Sequence, residues 1–290
     1  MKVRIGFGLG VNDLLGSTAA FGMVVDLLEH LEFDSLWLSE RVAGPILDPM
    51  TGLAFAAGRT ERLKLGTSLL VLPGRNPVLL AKAMASLDQL SGGRFLPVVG
   101  IGAQQDEEHA AFGVSRTGRG PLLEAGLATM RSVWGQNQAS SDLSSIYPKP
   151  TRPLGVWLGG RLPKELQRVG RVADGWLGSL LTPAECRSAR ALIEQAAEGA
   201  RRVVEHDHFG TVVLYSSGTR GERARTLLRT FRSDLVASDL MPEGEEALRD
   251  MIGSYVDAGI SKFVLIPTDP PPNWEVELRW LRSAVGPVVT

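Results

Sequence analysis

The stretch from Leu63 to Gly102 constrains the fold most, because it reads as strand, loop, helix, turn and strand in unbroken succession. Leu63-Lys64-Leu65-Gly66-Thr67-Ser68-Leu69-Leu70 is a short, largely apolar run with β character. Asn76-Pro77 then opens a helix: the Asn side chain can accept from orphan N–H groups, and proline's missing N–H is not needed in a first turn. Leu80, Met84, Leu87 and Leu90 recur at helical spacing and predict one buried face. Gly92-Gly93 ends the helix, since glycine accepts the left-handed conformation of a C-terminal cap. Phe95–Val99 is a second strand, stopping at Gly100-Ile101-Gly102. Two strands joined by a helical crossover are parallel, and the crossover is right-handed.

The same alternation runs through the chain. Val3–Gly8, Ser35–Leu38, Val156–Leu158, Asp174–Leu177, Phe209–Tyr215 and Lys262–Pro267 read as the other strands. Helices are expected after a Ser17 or Thr18 cap, near Asp48–Arg59, over Pro121–Trp134, from Pro163 and over Thr182–Val203. Three more are expected over Glu222–Asp234, Glu243–Ala258 and Trp274–Ala284. Eight strands alternating with helices in 290 residues predict an α/β fold, a (β/α)8 TIM barrel forming one domain over residues 1–290. Gly135–Pro153, rich in Ser, Gln and Pro, breaks the pattern and reads as an active-site loop or a small insertion segment. A doubly wound sheet would need an early G-x-G-x-x-G turn, and Gly6-Phe7-Gly8-Leu9-Gly10 has the wrong spacing.

Composition narrows the function. Hydrophobic residues at 44% suffice for a large core, and a net charge of −1 gives no reason to expect nucleic-acid or membrane partners. No apolar run is long enough to span a bilayer, and Met1-Lys2-Val3-Arg4 leads into a strand without a signal-like apolar segment. Cys186 is the sole cysteine, which excludes an intramolecular disulfide and a cysteine-based zinc site. A cytoplasmic protein acting on small molecules is the expectation.

In such a barrel the active site lies at the C-terminal strand ends. Those ends are rich in glycine and poor in ionisable groups, which suits close backbone approach to a flat ligand that carries the redox chemistry itself. Gly159-Gly160-Arg161-Leu162-Pro163 reads as an anion site, with backbone N–H groups leading into a helix N-terminus and Arg161 adding charge. An ordinary strand-to-helix turn is the alternative. Glu40 is the one carboxylate directly at the end of the second strand, either a proton-handling or orienting group or half of an ion pair with Arg41 or Arg59. Asp106 reads as a ligand contact or a helix cap, and Trp176 as a stacking surface or barrel wall. His206 and His208 lie at the start of a strand, the wrong end for catalysis, and lack a third ligand, so no metal site is expected.

Taken together, Gly66–Pro73, Asn76–Lys82, Leu87–Arg94 and Gly100-Ile101-Gly102 resemble the bacterial luciferase-like monooxygenase superfamily. Phe33–Glu40, Val156–Gly160 and Ala173-Asp174-Gly175-Trp176 extend the resemblance, which covers residues 3 to 180 well and thereafter only Tyr255–Ile260. It implies a (β/α)8 barrel, a homodimer, and FMN or the deazaflavin coenzyme F420, with greatest similarity to the F420-dependent branch. In that branch Ser68 and Leu69, joined by a non-proline cis peptide, would back the ring, and Asp106 would lie near its polar edge. Gly159, Gly160 and Arg161 would hold the phosphate, with Gly175 and Trp176 flanking the tail. Two departures stand out: Arg41 where many relatives carry histidine, and Ala103 where a sugar-phosphate-oxidising relative carries an acid. They leave Glu40 as the ionisable group near the ring. Arg161, Lys164 and Arg168 share a helix face suited to an anionic coenzyme tail. The resemblance thus implies hydride transfer between F420 and a small organic substrate. An FMN-dependent monooxygenase and a coenzyme-binding or storage protein without turnover are the alternatives.

Overall fold

The computed structural model describes residues 2–10, 18–42, 44–102, 106–136 and 142–286. Ten parallel segments form one sheet: β1 (Arg4–Gly8), β2 (Ser35–Leu38), β3 (Lys64–Thr67), β4 (Leu70–Val71), β5 (Phe95–Leu96), β6 (Val98–Gly100), β7 (Trp157–Gly159), β8 (Gly175–Ser179), β9 (Phe209–Tyr215) and β10 (Lys262–Pro267). Their order runs β4-β6-β7-β8-β9-β10-β1-β2-β3-β5. The two ends of that order are the same strand pair. β3 and β4 are halves of one strand, β5 and β6 halves of the next; β3 pairs with β5 and β4 with β6. Joining the halves closes the sheet into an eight-stranded parallel barrel, as the sequence pattern predicts.

The break between the halves is a bulge. Gly66 pairs with Leu96 and Leu70 with Val99, so Thr67, Ser68 and Leu69 stand against Pro97 and Val98 alone. One extra residue on the first strand interrupts the ladder. Proline at 97 has no N–H to offer there. The Thr67 hydroxyl bridges the gap instead, donating to Val98 O at 2.7 Å and accepting from Val98 N at 2.9 Å. The Ser68–Leu69 peptide is cis.

The helices are α1 (Thr18–His30), α2 (Pro49–Ala57), α3 (Pro77–Leu90), α4 (Asp106–Phe112), α5 (Arg119–Val133), α6 (Pro163–Val172), α7 (Pro183–Gly199), α8 (Glu222–Phe231), α9 (Gly244–Asp257) and α10 (Trp274–Val285). Ser17, named as an alternative cap for the first of them, lies outside the described residues. Asp48 caps α2 through Thr51 N at 2.8 Å, and Asn76 caps α3 through Val78 N and Leu79 N. α7 stops at Gly199, short of Val203, where Arg201 takes a positive φ of 54°.

Two apolar layers follow from the alternation of strand side chains. One lies between strands and helices and includes Phe7, Leu36, Leu65, Phe95 and Phe263. The other fills the barrel with Trp37, Val98, Leu177, Val264 and Ile266. Trp37 fits because Gly66 faces it: a Cβ there would stand 2.3 Å from the indole. At the N-terminal mouth Asp34 accepts from Lys64 and Lys262, both at 2.7 Å, tying β2, β3 and β10 together. Burial pushes the Asp34 carboxyl up, but the charges of Lys262 and Lys64 outweigh it and hold the group well below the usual carboxylate range.

Two expectations are corrected. Leu80, Met84 and Leu87 are buried, but Leu90, the last residue of α3, is 72% exposed. The described part of Gly135–Pro153 is a strap over α3 rather than an active-site loop. Lys82 Nζ donates to Tyr147 O, Gln89 to Lys149 O, and Asp88 accepts from Thr151 N and its hydroxyl. Leu87→Ala should therefore cost about 2–5 kcal/mol as a core truncation, while Leu90→Ala stays within about 0.5 kcal/mol. Urea unfolding of both variants checks this; equal losses would return Leu90 to the core.

Candidate active site

A cavity of about 240 Å3 opens at the C-terminal strand ends, lined among others by Leu69, Gly100, Gly159, Gly160, Arg161 and Ser179. Leu69, carried on the bulge, lines it together with Leu123, Leu158, Leu180 and Phe231. A Cβ on Gly100 would stand 2.6 Å from Leu69 Cδ2, and one on Gly159 would stand 2.5 Å from it. Both glycines make room for this leucine. Ser68 lies beside it, partly buried. The Ser39 hydroxyl donates to Ser68 O at 3.0 Å and stands 3.2 Å from the Ser68 hydroxyl.

Glu40 is close to the bulge but points into it. Its side chain is 5% exposed, Val71 N donates to its Oε2 at 2.6 Å, and Arg75 Nη2 donates to its Oε1. Burial pushes the carboxyl above its ordinary range, against the Val71 N–H and the Arg75 charge, which pull it down. Both oxygens are engaged. The ion-pair partner is Arg75, not Arg41 or Arg59; Arg59 pairs with Asp26.

The phosphate-type turn has its expected shape and an unexpected occupant. Gly160 has a φ of 138°, open only to glycine, and Arg161 and Leu162 lead into α6. Their two N–H groups donate to Glu165 Oε2, at 2.9 and 3.0 Å. An internal carboxylate thus sits where an external anion would. Arg161 Nη2 donates to Phe231 O at 3.2 Å. Arg168 lines the cavity but donates to Glu124 at 2.8 Å, which Arg171 shares at 3.0 Å. Lys164 is exposed and pairs with no described residue.

Two site residues are corrected. Gly175 begins β8 and so lies at the N-terminal mouth, where a Cβ would stand 2.4 Å from the Trp157 indole. Trp176 is fully buried, and its indole N–H donates to Gly160 O at 2.9 Å. It is barrel wall under the turn, not a surface for a ligand. From β8 the cavity receives Ser179, with Leu180 just beyond it. Asp106 starts α4, but its side chain lies outside the described residues, as does that of His109. His208 is at the N-terminal mouth, as its place before β9 predicts.

Glu165, Glu124 and Arg75 are the residues that pattern reading misses. A capping glutamate is signalled by Ser, Thr, Asp or Asn three residues earlier, and Leu162 stands there instead. Arg75 and Glu124 act across 35 and 44 residues of chain, beyond any local spacing.

The luciferase-like monooxygenase family model matches residues 10–258. A phthiodiolone/phenolphthiodiolone dimycocerosates ketoreductase of Mycobacterium kansasii is 30% identical over 168 residues, 53% of this chain and 45% of its own length. The match thus spans less than half of that relative. Among solved structures, an F420-dependent secondary alcohol dehydrogenase in complex with an F420–acetone adduct superposes with a TM-score of 0.81 at 19% identity, covering all of both chains. The oxygenating constituent of 3,6-diketocamphane monooxygenase of Pseudomonas putida, in complex with FMN, superposes with a TM-score of 0.75 at 15% identity, over 100% and 99% of the two chains. These likenesses concern the fold.

Removing the Glu40 carboxylate should leave the Val71 N–H and Arg75 without their acceptor. Glu40→Ala is expected to lose about 1–3 kcal/mol, the cost of a buried group left unsatisfied, and Glu40→Gln, which keeps one acceptor, distinctly less. Thermal unfolding of the pair measures this, and a neutral Glu40→Ala would remove Glu40 from the support of the bulge.

Proposed function

The chain belongs to the luciferase-like monooxygenase family, and from that premise we propose that it is an oxidoreductase moving a hydride between coenzyme F420 and a small organic substrate. The observation that carries this is the Leu69 bulge over a cavity with few ionisable side chains. An apolar shelf at the C-terminal barrel mouth fits one face of a flat ring. Bound there, the deazaflavin would supply the two-electron chemistry.

The chain's own part is placement. Leu69 backs the ring, with Ser68 and the Ser39 hydroxyl at its side. Glu40 is a positioning residue: through Val71 N and Arg75 it fixes the height of the shelf and has no free oxygen to turn to a substrate. Asp106 keeps the role the resemblance implies, near the polar edge of the ring. Gly160 and Arg161 face the phosphate. The fit there is partial, because Glu165 already accepts from two of the backbone donors. The phosphate would take over those donors as Glu165 swings aside, with the Arg161 charge nearby. Homodimer formation belongs to this reading.

FMN remains the second reading for a specific reason. The cationic face that would attract the longer F420 tail is weaker than three basic residues suggest, since Arg168 is paired with Glu124. Arg161 and Lys164 still favour a tail bearing several carboxylates, and exposed charges of this kind are screened by salt. Equilibrium titration of the apoprotein should give tighter binding of F420 than of FMN, with the F420 affinity falling as salt rises. Glu165→Gln should tighten both, because it removes the competing charge at the turn. Stoichiometric FMN binding without F420 binding would replace this reading with the flavin monooxygenase, and F420 binding without hydride transfer to any carbonyl or alcohol would leave a coenzyme carrier.

A further inference from the structure

The N-terminal mouth of the barrel holds a second and larger cavity, of about 330 Å3. Among the described residues six cationic side chains line it, Arg4, Arg62, Lys64, Arg94, Arg152 and Lys262, against one lining carboxylate, Asp207. Some of that charge is matched. Arg4 pairs with Asp207 at 2.7 Å, the two lysines share Asp34, and Arg62 meets Glu29 and Glu32 at the rim. Cations still outnumber these four carboxylates by two.

The surplus sits on identifiable groups. Among the described residues Arg94 has no carboxylate in contact; its five N–H groups go to Ser91 O, the Thr60 hydroxyl, Leu63 O, Ala57 O and Thr60 O. It is a fixed positive charge in the wall. Arg152, on the exposed rim, donates from one nitrogen to Gly93 O at 3.2 Å and keeps the rest of its fork. Lys64 and Lys262 each give one N–H to Asp34 and have donors to spare. Lys262 is 4% exposed, and burial together with Lys64 and Arg4 brings it down to about 8 in spite of Asp34. The field inside is therefore still positive after the ion pairs have formed. Trp157 and His208, with ring centroids 5.5 Å apart, form an aromatic wall beside it.

We propose that this cavity is an anion site for a multiply charged phosphate, separate from the cavity at the C-terminal strand ends. Forked arginines at the rim and lysine donors deeper in match phosphate oxygens from two sides. The walls are already in place: Asp34 fixes the two lysines and Asp207 fixes Arg4 on the lining of the cavity, so binding would require little rearrangement.

Isothermal titration of the full chain with inorganic pyrophosphate, at fixed ionic strength and neutral pH, tests this. Saturable binding of one equivalent is expected. Arg62→Glu/Arg152→Glu should weaken it by about tenfold or more, with the unfolding temperature showing whether the fold is kept; Arg152→Glu alone, at the rim, should weaken it in the same direction. Arg161→Glu, at the opposite mouth, should leave it unchanged. Replacing pyrophosphate with ADP separates two sources of the same chemistry: tighter binding assigns a nucleotide whose base rests on the aromatic wall, and equal or weaker binding a simple polyphosphate. No saturable binding, or binding that survives the rim variants or is lost with Arg161→Glu, would overturn the assignment.

Discussion

A parallel barrel cannot leave its backbone donors and acceptors unmatched, and here the ladder is broken on purpose between Thr67 and Val71. Everything at the C-terminal mouth depends on how that break is repaired. The Thr67 hydroxyl satisfies both backbone groups of Val98, next to Pro97, which has no N–H. Ser68 N donates to Leu38 O, and Glu40 N donates to Leu69 O. The Glu40 carboxylate then takes Val71 N and is held by Arg75. The bulge is thus stitched to the neighbouring strand on one side and to the loop before α3 on the other, and Leu69 is lifted into the cavity as a rigid consequence.

The glycines around the barrel show how easily one residue type is misread. At Gly100 and Gly159 the missing side chain admits Leu69; at Gly66 it admits Trp37; at Gly175 it admits Trp157. In each case a large apolar group occupies the space a Cβ would have taken. Glycine-rich strand ends do suit close approach to a ligand, but here the first thing to approach is the protein itself. Gly160 is different, because its φ of 138° makes glycine a backbone requirement.

Periodicity was enough to read the barrel. Alternating strand and helix patterns, Asn76-Pro77 and Gly92-Gly93 place the elements within a few residues, because each signal is local. The cavity was legible where it sits at the end of a strand, as with Leu69, Gly159 and Arg161. It was not legible at Gly175 and Trp176, because a motif in sequence does not say which end of a short strand it occupies. Leu90 follows the helical spacing of its buried neighbours yet emerges where the helix ends. Glu165 and Glu124 change the electrostatics of the anion turn through contacts that no spacing rule flags.

The two mouths differ in charge. The C-terminal one is apolar and nearly uncharged around Leu69, with charge confined to the Arg161 side. The N-terminal one is crowded with cations, of which Asp34 fixes two and Asp207 one. The proposed function puts a ring-bearing coenzyme at the first of these, and a crystal structure of the chain grown with oxidised F420 tests that placement most directly. The deazaflavin ring should lie against Leu69, with its phosphate at Gly160 and Arg161 and the Glu165 carboxylate turned away from their N–H groups. A ring bound away from Leu69, or at the N-terminal mouth beside Trp157, would contradict the account.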